Sequence, residues 1–216
     1  MMKKPALLAS SLLLLTQAFS ADLTSFTFTS DDWPEGDPPK EVFVVDGTIK
    51  VAAKDGNKAI MVAPDNLVDA SAQFATSAAG ESVIKARVFA SKQGRSNPRF
   101  GIAVHGMSGY RLIVNAPKKT LEIVKSDETH ASIPFTWTSD AWLWIKLEAR
   151  KNGDEWTITG KTWAADATEP AEPQISHTDK GLKGQGKASI WATPYSQTPI
   201  YFDDIEVAIE LPAETK

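Results

Sequence analysis

Apolar and polar residues alternate with a period of two along most of the chain. Phe26 and Phe28 alternate with threonines. Phe100, Ile102 and Val104 share one phase, and Leu112 and Val114 share another. Leu143, Ile145 and Leu147 fall on one side of their segment, leaving Trp142, Trp144 and Lys146 on the other. A period of two marks strands buried on one face, and no window carries the periodicity of an amphipathic helix. The first strand is placed around Phe26–Phe28. Asp46-Gly47, between Glu41–Val45 and Thr48–Ala53, predicts a short hairpin. Further strands are expected over Lys58–Ala63, Val68–Thr76, Glu81–Ser91, Arg99–His105, Tyr110–Asn115 and Thr120–Lys125. The series continues with Ala131–Phe135, Trp142–Lys151, Trp156–Trp163, Gln174–His177, Lys187–Thr193 and Ile200–Ile209. About a dozen strands at this spacing imply an all-β, two-sheet antiparallel sandwich. Pro34, Pro38 and Pro39 mark an early loop, because proline cannot continue a central strand.

The central strands can be phased against one another. Pairing Val104 with Leu112 and Ile102 with Val114 turns all four inward and sets His105 opposite Arg111. A turn at Ala116–Lys119 then brings Val114 to Leu121 and Leu112 to Ile123. The outer face of this meander carries His105, Arg111, Asn115 and Glu122, with Lys85 and Arg87 as further members. Such a row can be a polar ligand platform or an ordinary solvated sheet face. Trp144, outward on its strand, is a candidate stacking wall for a sugar ring, and Trp191 and Tyr195 are weaker ones.

The ends of the chain add an address. Lys3 and Lys4 precede an apolar run from Ala6 to Leu15, and Ala18 and Ser20 supply small residues at the positions a signal peptidase reads. Residues 1–20 are expected to be a signal peptide, residues 21–210 a single sandwich domain, and residues 211–216 a frayed tail. The run is shorter than the roughly 20 residues that span a bilayer, so no membrane span is expected and the protein should be secreted or periplasmic. A mature chain of roughly 200 residues can bury a core large enough to need no disulfide. The sequence has no cysteine, which removes thiolate catalysis and cysteine metal sites. The net charge of −4 and the lack of a basic stripe argue against nucleic acid as a partner.

The run from Trp142 to Val207 resembles the concanavalin A-like/laminin-G superfamily. It is similar to a bacterial branch labelled 3-keto-disaccharide hydrolase or family-16 glycoside-hydrolase-like. The resemblance is carried by Trp142-Leu143-Trp144-Ile145-Lys146-Leu147, Lys161-Thr162-Trp163, Glu169-Pro170, the glycines 181, 184 and 186, and Tyr201-Phe202-Asp203-Asp204-Ile205-Glu206-Val207. Gly101–His105 and Gly109-Tyr110-Arg111-Leu112 resemble the paired strands of that branch, which often has arginine where His105 stands. The resemblance implies a jelly-roll sandwich and either a carbohydrate-binding or cell-surface interaction domain, a disaccharide-acting glycoside hydrolase, or a structural envelope protein. Retaining hydrolases of this superfamily carry two carboxylates roughly 5–5.5 Å apart. The corresponding Glu-x-Asp-x-x-Glu pattern is absent from this sequence, so the reading leans away from an enzyme and names no catalytic residue.

The three histidines, at 105, 130 and 177, share no zinc-ligand spacing. Asp203 alternates with Tyr201, Ile205, Val207 and Ile209, which sets a carboxylate on an apolar face where it needs partners. Two partners are open. One is a structural Ca²⁺ shared with first-strand oxygens such as those of Asp22, as in related carbohydrate-binding sandwiches; the other is hydrogen bonds to loop amides or to Lys or Arg. The leader has its own test. Intact mass of the exported protein should place the mature N-terminus at Ala21, and a mass that retains Met1 would overturn the assignment.

Overall fold

The structure is a computed structural model, and it describes residues 22–64 and 69–211. The expected signal peptide and all but the first residue of the expected tail lie outside the described residues. Fifteen strands are present among the described residues, in chain order. They are β1 (Thr24–Phe28), β2 (Phe43–Asp46), β3 (Ile49–Lys54), β4 (Asn57–Val62), β5 (Ala70–Ala78), β6 (Ser82–Ala90), β7 (Arg99–Ala103) and β8 (Arg111–Asn115). The rest are β9 (Thr120–Lys125), β10 (Glu128–Pro134), β11 (Ala141–Asn152), β12 (Glu155–Ala164), β13 (Ile175–Asp179), β14 (Gly186–Thr193) and β15 (Ile200–Ile209). A single turn of 3₁₀ helix spans Gly106–Ser108. Among the described residues no helix is long and apolar enough to cross a membrane.

The strands pair antiparallel in two sheets. One runs β13-β12-β11-β6-β15-β4-β3, with β1 also on β15, and the other runs β10-β9-β8-β7-β14-β5-β2. Their inner faces make one core. Ile84, Ala86, Val88, Ile145, Leu147 and Phe202 of the eight-stranded sheet meet Phe74, Phe100, Ile102, Leu112, Leu121 and Ile190 of the seven-stranded one. Each buried Leu, Ile or Phe contributes about 1.5–3 kcal/mol through the apolar surface it removes from water.

The Asp-Gly signals are divided differently from the expectation. β2 pairs with β5, whereas β3 pairs with β4, so Asp46-Gly47 is not a hairpin but the place where the chain passes between sheets. The hairpin lies nine residues later, at Asp55-Gly56, where φ values of 52° and 88° form a type I′ turn between β3 and β4. Gly47 is needed for another reason. Its φ is +80°, and a Cβ there would collide with the Cβ of Ala70. Around Gly56 nothing lies within 4 Å of the added atom.

β15 departs from simple alternation. Its register against β6 slips between Asp203 and Glu206, and Asp204 has φ 47°. This bulge inserts one residue, so Phe202 and Ile205 both turn inward while Tyr201, Asp203 and Glu206 turn outward. The shared face expected for Tyr201, Asp203 and Ile205 is therefore corrected. The opposite edge of β15 changes partner at the same point. Ile200–Phe202 pair with β4, and Ile205–Ile209 pair with β1.

Arg87 of β6 holds the bulge. Its Nη2 donates to Asp203 Oδ2 at 2.7 Å, and its Nε lies at ion-pair distance from Asp204 Oδ2, off the line of a hydrogen bond. Asp203 Oδ1 accepts from the Asp204 amide at 2.9 Å. Asp203 is almost fully buried, and burial together with the Asp204 carboxylate pushes its pKa up against the pull of Arg87.

These contacts decide between the two partners left open for Asp203. Both carboxylate oxygens are engaged, one by a guanidinium that would repel a cation. The register Thr24 to Ile209 and Phe28 to Ile205 also carries Asp22 beyond the Ile209 end of β15. That is roughly 20 Å of strand away from Asp203, at about 3.3 Å per residue. Among the described residues, no three His, Asp or Glu side chains converge as a metal site. The residues present do not fit Ca²⁺ at Asp203.

In urea denaturation Gly47→Ala should cost clearly more stability than Gly56→Ala, because both pay about 1 kcal/mol or more for positive φ but only Gly47 also meets a neighbour. Equal costs would contradict the packing at Ala70. Arg87→Gln should lose about 3 kcal/mol, as expected when a buried carboxylate loses its partner. EDTA should leave the melting temperature unchanged; a fall in EDTA that calcium reverses would reinstate the metal.

Candidate functional site: the outer face of the seven-stranded sheet

Three rows of side chains cross the outside of this sheet. Trp191 of β14 stands opposite Gly101, Gly101 opposite Ile113, and Ile113 opposite Glu122. One flanking row is Thr193, Arg99, Asn115 and Thr120, and the other is Ser189, Ala103, Arg111 and Val124. Gly101 has no side chain, and a Cβ there would strike the Leu112 carbonyl oxygen. The indole of Trp191 therefore crosses an open gap to pack on Ile113 and Val124, making a small second apolar cluster outside the main core.

Two arginines close over this cluster. The guanidinium carbons of Arg99 and Arg111 lie 5.1 and 5.5 Å from the Trp191 ring centroid. A guanidinium against an indole gains cation–π attraction and keeps its N–H donors free at the rim. Trp191 is only 5% exposed, so the arginines, not the indole, form the surface here.

Carboxylates and amides surround the pair. Arg111 Nη2 donates to Asp127 Oδ1 at 3.3 Å, and its Nη1 lies 3.9 Å from Asp69 Oδ2. Asp127 reaches this position because Ser126 and Asp127, with φ 48° and 65°, make a two-residue type I′ hairpin between β9 and β10. Thr193 Oγ1 donates to Asp69 Oδ1 at 2.8 Å. Glu122 is buried and accepts from Asn115 Nδ2 at 3.1 Å and Thr120 Oγ1 at 2.7 Å.

The surface between these side chains is concave. A cavity of about 250 Å³ lies between Arg111, Trp191, Ser71, Gln73 and Met107. A wider one of about 500 Å³ lies at the other end, among Arg95, Arg99, Asn115, Lys118 and Tyr195. A third hollow, containing Arg99, Arg111, Glu122 and Asp127, adjoins both. Together they form one groove across the strands.

The structure divides the six residues expected on a single platform. Arg111, Asn115 and Glu122 do share this face. The pairing of Leu112 with Ile123 and Val114 with Leu121 is as expected. Between β7 and β8 the register differs: Ile102 meets Leu112, and Phe100 meets Val114. A slip of two residues preserves the face of each side chain, so Arg111 stays outward, but its cross-strand neighbour is Ala103.

His105 is corrected. β7 ends before it, its φ of 59° turns the chain into the 3₁₀ turn, and its ring is buried at the end of the sandwich. There Nε2 lies 3.3 Å from Ser82 Oγ, and the ring meets Trp156 edge-on at 5.6 Å. Burial holds its pKa below the usual imidazole range.

Arg87 and Trp144 are corrected as well. β6 and β11 belong to the eight-stranded sheet, so both residues lie on the opposite exterior of the molecule. Trp144 stacks on Trp163 with centroids 6.1 Å apart, and Lys85 and Arg87 approach its ring. His130 and His177, which spacing did not link, meet at 4.8 Å where the edge strands of the two sheets come together.

Arg99, Asp69 and Asp127 were not picked out as site residues from sequence. Arg99 was legible in principle, since the alternation that turns Phe100 and Ile102 inward turns Arg99 outward. Asp69 was legible in the same way, on the phase of Ser71 and Gln73 in the expected strand Val68–Thr76, whereas Asp127 reaches the groove from a turn, where alternation gives no signal.

No family model matches the chain, and no curated protein matches it in sequence. Solved structures do match in shape. The carbohydrate-binding module CBM66 from Bacillus subtilis superposes with a TM-score of 0.53 at 14% identity, covering 77% of this chain and 94% of that one. The metal-free form of lectin I-B4 from Griffonia simplicifolia gives 0.57 at 11%, over 85% and 98%. Peanut lectin with a 9mer peptide gives 0.55 at 12%, over 89% and 100%. At these identities the likeness is one of fold, and the fold is the concanavalin A-like jelly roll.

Proposed function

We propose that this is an exported carbohydrate-binding domain and that the groove over Trp191 is its ligand site. One observation carries the reading: a concave strip in which two arginines held against a buried indole are ringed by amide, hydroxyl and carboxylate groups. Sugars present many hydroxyls in fixed directions, and such a strip offers donors and acceptors in fixed positions to meet them. Lectins and a carbohydrate-binding module among the structures of like shape support the same reading, as does the leader-like N-terminus for export.

The strip is shallow, and association must offset lost freedom, so affinities of micromolar to millimolar are expected, or about −4 to −8 kcal/mol. Hydrolysis, which the resemblance to the 3-keto-disaccharide hydrolase branch implies, is the second reading. It is favoured by Glu122, a buried carboxylate in the groove.

A glycan array followed by calorimetry tests the site. Arg111→Ala should weaken the best glycan about tenfold, close to 1.4 kcal/mol, without a large change in melting temperature. Trp144→Ala, on the far exterior, should leave the affinity unaltered. A glycan indifferent to Arg111→Ala would remove the groove. Incubation of the same glycan with the protein should release no new reducing ends, and release that Glu122→Gln abolishes would favour the hydrolase.

A further inference from the structure

The wide end of the groove differs in charge from the rest of the molecule. The chain is net negative at −4, yet the cavity of about 500 Å³ is lined by Arg95, Arg99 and Lys118 and by no acidic side chain. Among the described residues Arg95 and Arg99 make no ion pair, whereas the other arginines, Arg87, Arg111 and Arg150, all do; Lys118, like several surface lysines, has no carboxylate partner either. Arg99 also carries a buried Nε with no hydrogen-bond partner.

The cations are mounted on ordered backbone. Gln93 and Ser96 exchange both amide hydrogen bonds, at 3.1 and 2.9 Å, which closes a tight loop and sets Arg95 at its tip. Lys118 sits in the turn after β8, where its amide donates to the Asn115 carbonyl at 3.1 Å. The Asn115 side chain is itself fixed by Glu122. Tyr195, 41% exposed, supplies an aromatic surface at the rim.

We propose that this cavity takes the oxyanion of an acidic saccharide, a uronate carboxylate or a sulfate ester, with its ring against Tyr195. The proposal rests on the reading of the groove as a glycan site and names the class of sugar. Arg99 and Arg95 suit an oxyanion because a guanidinium presents parallel donors to two oxygens, and Lys118 adds a third positive charge.

Calorimetry with three oligosaccharides of equal length tests it: an oligogalacturonide, a sulfated galacto-oligosaccharide and the uncharged galacto-oligosaccharide. At least one charged sugar should bind about tenfold tighter than the neutral one at roughly 50 mM NaCl, with the gap closing toward roughly 500 mM as salt screens it. Whichever charged sugar gains names the oxyanion. Arg95→Gln and Lys118→Gln alter exposed side chains, and each should lower the affinity for the charged sugar about threefold or more beyond any loss for the neutral one. Equal binding of charged and neutral sugars, or a charged preference that survives both substitutions, overturns the proposal. If neutral sugars still bind through Arg111, the glycan reading stands and only the acidic class falls. If no sugar in the series or on the array binds, both fall together.

Discussion

The last strand breaks step at Asp203 and Asp204, and the far edge of the eight-stranded sheet depends on where it does so. β15 lies beside β6 along nearly its whole length, but its other edge is shared by two strands. β4 takes Ile200–Phe202, and β1 takes Ile205–Ile209. One added residue between these stretches lets Phe202 and Ile205 both enter the core. An unbroken strand would send one of the two outward and draw Asp203 or Asp204 in. The bulge gathers two carboxylates, and Arg87 of the neighbouring strand binds both. A charge cluster that resembles a candidate metal site is thus what fixes the strand order at that edge.

The same chemistry separates the two exteriors. On the eight-stranded sheet the charges around β6, β11 and β15 are matched within the molecule. Lys85 meets Glu206, Lys146 meets Glu148 and Glu169, and Arg150 meets Glu81 and Glu148. Its aromatic rings are covered as well, with Lys54 at 3.6 Å over Phe89 and Lys85 at 4.5 Å over Trp144. A surface whose donors and charges are already satisfied has little to offer a ligand. The seven-stranded sheet instead keeps a groove whose rim holds Arg95 and Arg99, which make no ion pair among the described residues.

How far the sequence could be read follows from what alternation encodes. A period of two tells which residues of a strand share a face, so the faces of Arg111, Asn115 and Glu122 were legible, as was nearly every strand. It does not tell which sheet the strand joins. Arg87 and Trp144 were placed beside Arg111 because all point away from the core, yet β6 pairs with β11 and with β15, both far along the chain. Alternation also fails where the chain leaves a strand, which is why His105 turned inward unannounced. It fails again where a bulge adds a residue, as at Asp203. Asp46-Gly47 and Asp55-Gly56 share a dipeptide and differ only in what their flanking strands pair with, which no local pattern records.

Fold and ligand are consequently written in different residues of the same strands. The inward set needs only apolar side chains of suitable volume, and many sequences meet that demand, so lectins of 7–13% identity reach a similar jelly roll. The outward set is under no such demand from the core. In β14 the inward Ala188, Ile190 and Ala192 belong to the fold, while the outward Trp191 belongs to the groove. Its packing requires a residue without a side chain on the adjacent strand, and Gly101 supplies it between the inward-facing Phe100 and Ile102. The indole then reaches Ile113 and Val124 and gives Arg99 and Arg111 a fixed surface to lie against. The groove is therefore built by a Trp–Gly–Ile row that the core does not ask for.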